Sequence, residues 1–259
     1  MEHTYYLIVQ AGFLLLTLIC LGVILWGIRI TLLRMGLTLS RANVKTGIWA
    51  IVFLAWLLLT SSLSISGFLG DFSVMPPRML PMLFILLVGI LIITFHPAFK
   101  RFLAHVPPAW LIHIQAFRVP VEILLWLLFL DNLLPVQMTF EGRNWDVLTG
   151  ITAPAAAYLC FGRGRYRKWL AMAWNIFGLI LLVNIVVTAI LSMPTPFRVF
   201  MNEPANTIVT VFPVVFLPTV LVPIAYAMHF FSLRKVFIEQ DTKIPSVAYH
   251  SENNQSYTM

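Results

Sequence analysis

Seven long apolar runs divide this chain, and the basic residues between the runs fall almost entirely on alternate turns of the path. The runs are Tyr5 to Ile28, Gly47 to Leu69, Met79 to Phe95, Trp110 to Leu130, Val147 to Phe161, Trp169 to Leu191 and Ile208 to Phe231. A helix needs roughly 20 apolar residues to cross about 30 Å of hydrocarbon. In lipid the backbone must satisfy its own hydrogen bonds, and a helix does so within one segment. The predicted fold class is therefore all-α, a polytopic transmembrane helix bundle of seven spans filling residues 1–238. Composition agrees, with 60% hydrophobic and 10% charged residues, where soluble domains carry about a quarter charged.

The loops set the orientation. One set carries Arg29, Arg34, Arg41 and Lys45, then Lys100 and Arg101, then Arg163, Arg165, Arg167 and Lys168, then Arg234 and Lys235, which is twelve of the 17 basic residues. The other set carries Glu2, Asp71, Asp131, Glu141, Asp146 and Glu203 with only Arg78, Arg143 and Arg198. By the positive-inside rule the amino terminus is expected outside and the carboxyl terminus in the cytoplasm. The fifth run is short, about 15 residues and some 22 Å long, yet removing it would break the charge alternation at that loop alone. The net charge of +7 is topological and gives no reason to expect nucleic acid, whose footprint is a basic stripe on a folded surface. The start lacks the basic region of a secretory signal, so the first span is expected to be retained. The polar segment 239–259 is expected to be a disordered cytoplasmic tail. Cys20 and Cys160 lie inside spans, and no disulfide is expected.

The fourth run holds Arg118 and Glu122, and an ionised side chain at that depth costs roughly 2.5 to 3.5 kcal/mol on insertion scales. Four residues apart, they share a helical face and are expected to pair. Gln115 and Trp126 project from the same stripe, and Pro120 frees the Ala116 carbonyl. Polar residues concentrate in the halves of the spans expected to face outward: Ser61, Ser62, Ser64 and Ser66, Thr149 and Thr152, Asn184 and Thr188, Thr207 and Thr210. This asymmetry predicts an outward polar vestibule with Arg118, Glu122, Gln115, Trp126, Asn184, Ser62 and Ser66 as candidate ligand-binding residues. Set against that reading, serine and threonine bond their own helix carbonyls, and a buried ion pair can serve packing alone.

Three prolines, Pro213, Pro218 and Pro223, leave the carbonyls of Val209, Val214 and Thr219 without helical donors in the seventh run. The outer loops Pro135 to Asp146 and Pro194 to Pro204 are aromatic and charged, like folded lids rather than slack connectors. His96, His105, His113 and His229 map to the cytoplasmic end without ligand spacing, so no metal is expected. No cofactor is implied either.

The stretches Phe117 to Glu122 and Phe140 to Asp146, with Asn184 through Pro196, resemble segments of an uncharacterised family of bacterial multi-pass membrane proteins. That resemblance implies a bacterial inner membrane and no particular activity. Seven spans with the amino terminus outside is also similar to rhodopsins, but the seventh run has no lysine for a Schiff base. No aspartate lies within the spans for intramembrane proteolysis, and no phosphate-cradling glycine loop is present. Three function classes remain. The first is a small-solute or proton-coupled transporter or receptor-like binder. The second is a membrane enzyme acting on a lipid or isoprenoid, with Glu122 as general acid or base. The third is a structural or assembly partner without a ligand, and in every case the lipid bilayer is a partner. The polar asymmetry favours the first.

Overall fold

The structure is a computed structural model that describes residues 4–241. Helix is the regular structure of these residues. The long elements are α1 (Tyr6–Arg34), α2 (Leu39–Ile65), α3 (Met79–Phe95), α7 (Val147–Phe161), α8 (Lys168–Leu191) and α9 (Val222–Asp241). Shorter pieces complete the set: α4 (Pro97–Ala104), α5 (Pro108–His113) and α6 (Arg118–Leu130). Among the described residues, five helical segments are long and apolar enough to cross a membrane, or six if α3 and α4, bent by 71° at His96, count as one. The predicted bounds of α3 and α7 coincide with the observed ones, because each run is closed at both ends by proline, glycine or charge. α9 continues through Asp241, and the remainder of the expected tail lies outside the described residues.

The helices alternate between two ends. At one, the Tyr5 N–H donates to Asp131 Oδ2 (2.8 Å), Ser64 Oγ to the Thr210 carbonyl (2.7 Å) and Gln137 Nε2 to Ser192 Oγ (3.0 Å). At the other, Arg34 lies 5.0 Å over the Trp110 ring, Arg234 bonds the His96 carbonyl and Lys235 Nζ donates to the Ala104 carbonyl at 2.6 Å. α4 lies across this second end with Leu103 buried and Lys100 and Arg101 exposed, the pattern of a helix resting at an interface. Large exposed side chains coat the outside, including Ile51, Leu58 and Ile65 of α2 and Phe84, Ile85 and Phe95 of α3. A surface so apolar would aggregate in water and is suited to lipid.

Two departures from regular helix shape the interior. Pro120 cannot donate to Ala116, and the chain tightens just before it into a 3-10 turn, Ile114–Phe117, that separates α5 from α6. In the seventh run, the expected span from Ile208 starts with a short 3-10 turn (Ile208–Thr210) and becomes continuously helical only from about Leu217, where a π turn (Leu217–Leu221) leads into α9. The preceding 208–216 segment is mostly buried in protein, the condition under which irregular backbone is tolerated at such depth. Two carbonyls of the run are met from α2: Ser64 reaches Thr210 in this segment, and Trp56 Nε1 donates to the carbonyl of Thr219 in the π turn, which Pro223 leaves without its helical donor (3.0 Å).

The loop 131–146 explains why the fifth run is short. From Arg118 to Leu130 helix α6 rises about 18 Å at 1.5 Å per residue, yet Asp146, the residue just before α7, touches Arg118. The loop therefore folds down between α6 and α8, with Leu134, Gln137, Met138, Thr139 and Asn144 buried. The loop is thus part of the packed interior rather than a surface connection.

A buried polar centre between α6, α7, α8 and α9

Arg118 and Glu122 are each 3% exposed, and they are not paired with one another. Arg118 Nη1 donates to Asp146 Oδ1 at 2.6 Å, while Asn144 Nδ2 donates to Glu122 Oε2 and to the Met138 carbonyl (3.2 Å). The expected pair is thus replaced by two matched contacts with one loop. Asn144 and Asp146 stand two residues apart in a turn in which the Asp146 N–H donates to Asn144 Oδ1. That turn presents both side chains to one face of α6, where Arg118 and Glu122 are one helical turn apart. A local spacing rule ranks the i, i+4 partner first, whereas here the buried loop supplies the partners of both residues, Asp146 for Arg118 and Asn144 for Glu122.

The rest of the Phe140 to Asp146 segment is bonded as well. Trp126 Nε1 donates to Glu141 Oε1 (2.7 Å) and its ring packs on Phe140 with centroids 5.9 Å apart. Trp126 therefore holds the lid and does not line the centre. Asn184 Nδ2 donates to the Arg143 carbonyl (2.8 Å), and the Arg143 guanidinium lies 5.3 Å over Phe200 of the following outer loop. Arg143, Trp145 and Asn184 line a shallow depression of about 290 Å³, apart from Arg118 and Glu122. Ser62 and Ser66 are exposed on the outside of α2, whereas Ser64 turns inward to Thr210. Ser62 and Ser66 thus do not face Glu122, which the loop 131–146 covers.

Below the lid the helices approach closely around two glycines. A Cβ on Gly150 would press on Val119 and on Arg118 Cβ, and one on Gly178 would strike the His229 ring and the Thr149 methyl. These near contacts gather Arg118, Thr149 and His229. Gln115 joins them from the 3-10 turn, with Nε2 donating to the Ala225 carbonyl of α9 (3.1 Å). Arg118 is also within electrostatic reach of Tyr226 and His229.

His229 departs from the sequence expectation of a histidine at the cytoplasmic rim. It is fully buried, with Nδ1 2.9 Å from Asn175 Oδ1 and its ring 5.6 Å from Trp174. Asn175 Nδ2 donates to the Ala171 carbonyl (2.7 Å) and to Ser232 Oγ (2.9 Å), which fixes the amide so that Oδ1 faces the ring. Nδ1 must then carry the proton, and in the neutral ring Nε2 is left as an acceptor. Asn175 and Gly178 of α8 are contributors that charge and spacing in the sequence did not point to. Asn175 lies in the predicted sixth span, three residues from Gly178, a small-polar pattern that marks helix contact sites in membranes.

Five side chains of this centre leave polar atoms buried and unpartnered: Gln115 Oε1, Arg118 Nε and Nη2, Glu122 Oε1, Thr149 Oγ1 and His229 Nε2. Each such group costs about 1–3 kcal/mol relative to a satisfied one. Among the described residues no group of three His, Cys, Asp or Glu side chains converges in a way that would hold a metal ion.

Residues 76–237 match the family described as Domain of unknown function (DUF8737). The chain belongs to this family. Its matched region starts just before α3 and runs through most of α9, so every residue of the polar centre and of the lid falls within the DUF8737 region, while α1 and α2 precede it. No curated protein and no solved structure matches the chain.

Proposed function

We propose that this protein is a seven-span bacterial inner-membrane protein, amino terminus outside, that binds a small polar solute at the Arg118 and Glu122 centre as a transporter or receptor. The observation that carries the reading is the set of six unpartnered polar atoms on five buried side chains. A centre kept only for packing would be expected to satisfy such atoms, since a partly satisfied buried network is worse than an apolar core. A solute that supplies the missing partners recovers that free energy on binding. The lid supports the same reading, because it is attached by side-chain bonds at Trp126, Glu122 and Arg118 rather than by a continuous helix, and such attachments can be released together.

Support for the seven spans comes from the alternation of helix direction and from the packed loop that leads into the short α7. Support for the orientation comes from the twelve basic residues at the α4 end, and support for a bacterial membrane from the family resemblance. Reporter fusions test the topology: positions after Asp71, Asn132 and Glu203 should report outside, and those after Lys45, Arg101, Lys168 and Lys235 inside. A cytoplasmic signal at Asn132 would overturn it. Saturable thermal stabilisation of the purified protein by a small polar solute, lost in Arg118→Lys, tests the binding reading.

A further inference from the structure

We infer that the solute is a small zwitterion, an α-amino carboxylate, seated with its carboxylate on the Nε/Nη2 edge of Arg118. The inference rests on the solute-binding reading above and names its chemical class. A guanidinium presents its donors in a rigid planar fork. Asp146 occupies Nη1 at 2.6 Å, and Nε with Nη2, the two donors that point in parallel from the other edge, are buried without partners. Two parallel N–H groups match the two oxygens of one carboxylate.

The remaining unpartnered atoms ask for donors. Gln115 Oε1 is held in place by the bond of its amide nitrogen to Ala225, Glu122 Oε1 by the bond of its other oxygen to Asn144, and His229 Nε2 by the tautomer that Asn175 sets. Thr149 Oγ1 serves as donor or acceptor. An ammonium beside the carboxylate supplies N–H groups to those of these acceptors that stand within reach of the Arg118 fork. Charge selects the zwitterion over a simple acid. Asp146 already balances Arg118, so acetate would add an unbalanced charge to a buried site, whereas an amino acid enters with no change in net charge and brings its ammonium toward Glu122. A bare amine fails for the opposite reason, since it leaves the Arg118 fork empty.

The same α-amino carboxylate is carried by free amino acids and by the phosphatidylserine headgroup, and the experiment separates the two. Full-length protein is placed in nanodiscs of phosphatidylcholine, with or without phosphatidylserine, and binding of glycine, alanine, acetate, methylamine and glycerol is measured by calorimetry. The expected result is saturable binding of glycine or alanine at least about tenfold tighter than acetate or methylamine, as for a site whose buried polar groups reject ligands that leave them unpaired. Arg118→Lys, which keeps the charge and loses the fork, should weaken it by a similar factor. Thr149→Val, nearly isosteric and uncharged, should weaken it several-fold even if the arginine variant does not fold. Suppression of glycine binding only in discs with phosphatidylserine assigns the class to the lipid headgroup. Acetate, methylamine or glycerol binding as tightly as glycine overturns the zwitterion while leaving solute binding intact. If none of the five binds in either disc, the solute-binding reading itself falls.

Discussion

Arg118 Nη1 donates to Asp146 Oδ1 at 2.6 Å, and this contact joins the first residue of α6 to the residue just before α7, 28 positions later. The bond sets the depth to which the 131–146 loop is drawn. Removing one partner strands the other charge, which costs about 3–5 kcal/mol for a buried pair. Arg118→Met and Asp146→Leu should therefore each destabilise the purified protein by about that amount, and the double variant by much less than the sum. The same cycle run on Arg118 and Glu122, which are linked only through the Asn144–Asp146 turn, should give a smaller coupling than the Arg118 and Asp146 cycle. Detergent-denaturation midpoints read both. A larger coupling to Glu122 than to Asp146 would contradict the arrangement of the loop.

Gly178 is a point of close approach between α8 and α9, since a Cβ there would strike the His229 ring. Overpacking a tight contact typically costs about 1–3 kcal/mol, so Gly178→Ala should lower stability by that order although alanine is the better helix former. His229→Ala in the same chain should relieve the clash and make the alanine at 178 nearly neutral against that background. Additive losses in the double variant would show that the two residues do not meet.

The serines of α2 differ in face and in depth. Ser66 stands past the end of the helix and Ser62 on its apolar outer side, both exposed, while Ser64 donates to Thr210. With Cys20 and Cys160 replaced by alanine, Ser66→Cys should react with a membrane-impermeant maleimide and Ser62→Cys only with a lipid-soluble one. Ser64→Cys should resist both, because thiolate formation is suppressed in a packed core. Rapid labelling of Ser62→Cys from water would restore the vestibule that the serine pattern suggested.

The helical frame was legible because a run of apolar residues closed by proline, glycine or charge has few other readings in lipid, and α3 and α7 ended where composition changed. What escaped was long-range. Arg118 and Glu122 were recognised as costly residues, but their partners Asp146 and Asn144 sit in a loop whose descent into the bundle leaves no periodic signal. The placement of Ser62 on the outside of α2 is a matter of helix rotation, which hydropathy cannot fix when nearly every face is apolar. His229 was assigned to the rim because it lies close to Arg234 and Lys235 in sequence, whereas the close approach at Gly178 and the bond to Asn175 hold it inside.

Trp56 and Pro223 supply the last test, which concerns how a proline-rich segment is kept among helices. Pro223 has no N–H to offer Thr219, and Trp56 Nε1 reaches across from α2 to that carbonyl at 3.0 Å. Trp56→Phe keeps most of the ring volume and removes the donor, leaving a buried carbonyl short of a partner at a cost of about 1–3 kcal/mol. Pro223→Ala returns a backbone N–H to the same region. If the tryptophan acts by replacing that lost donor, Trp56→Phe should cost clearly less in the Pro223→Ala background than in the native chain, as read by detergent-denaturation midpoints. An equal cost in both backgrounds would mean that Trp56 stabilises the contact through its ring alone, and that the Thr219 carbonyl is satisfied by the π turn itself.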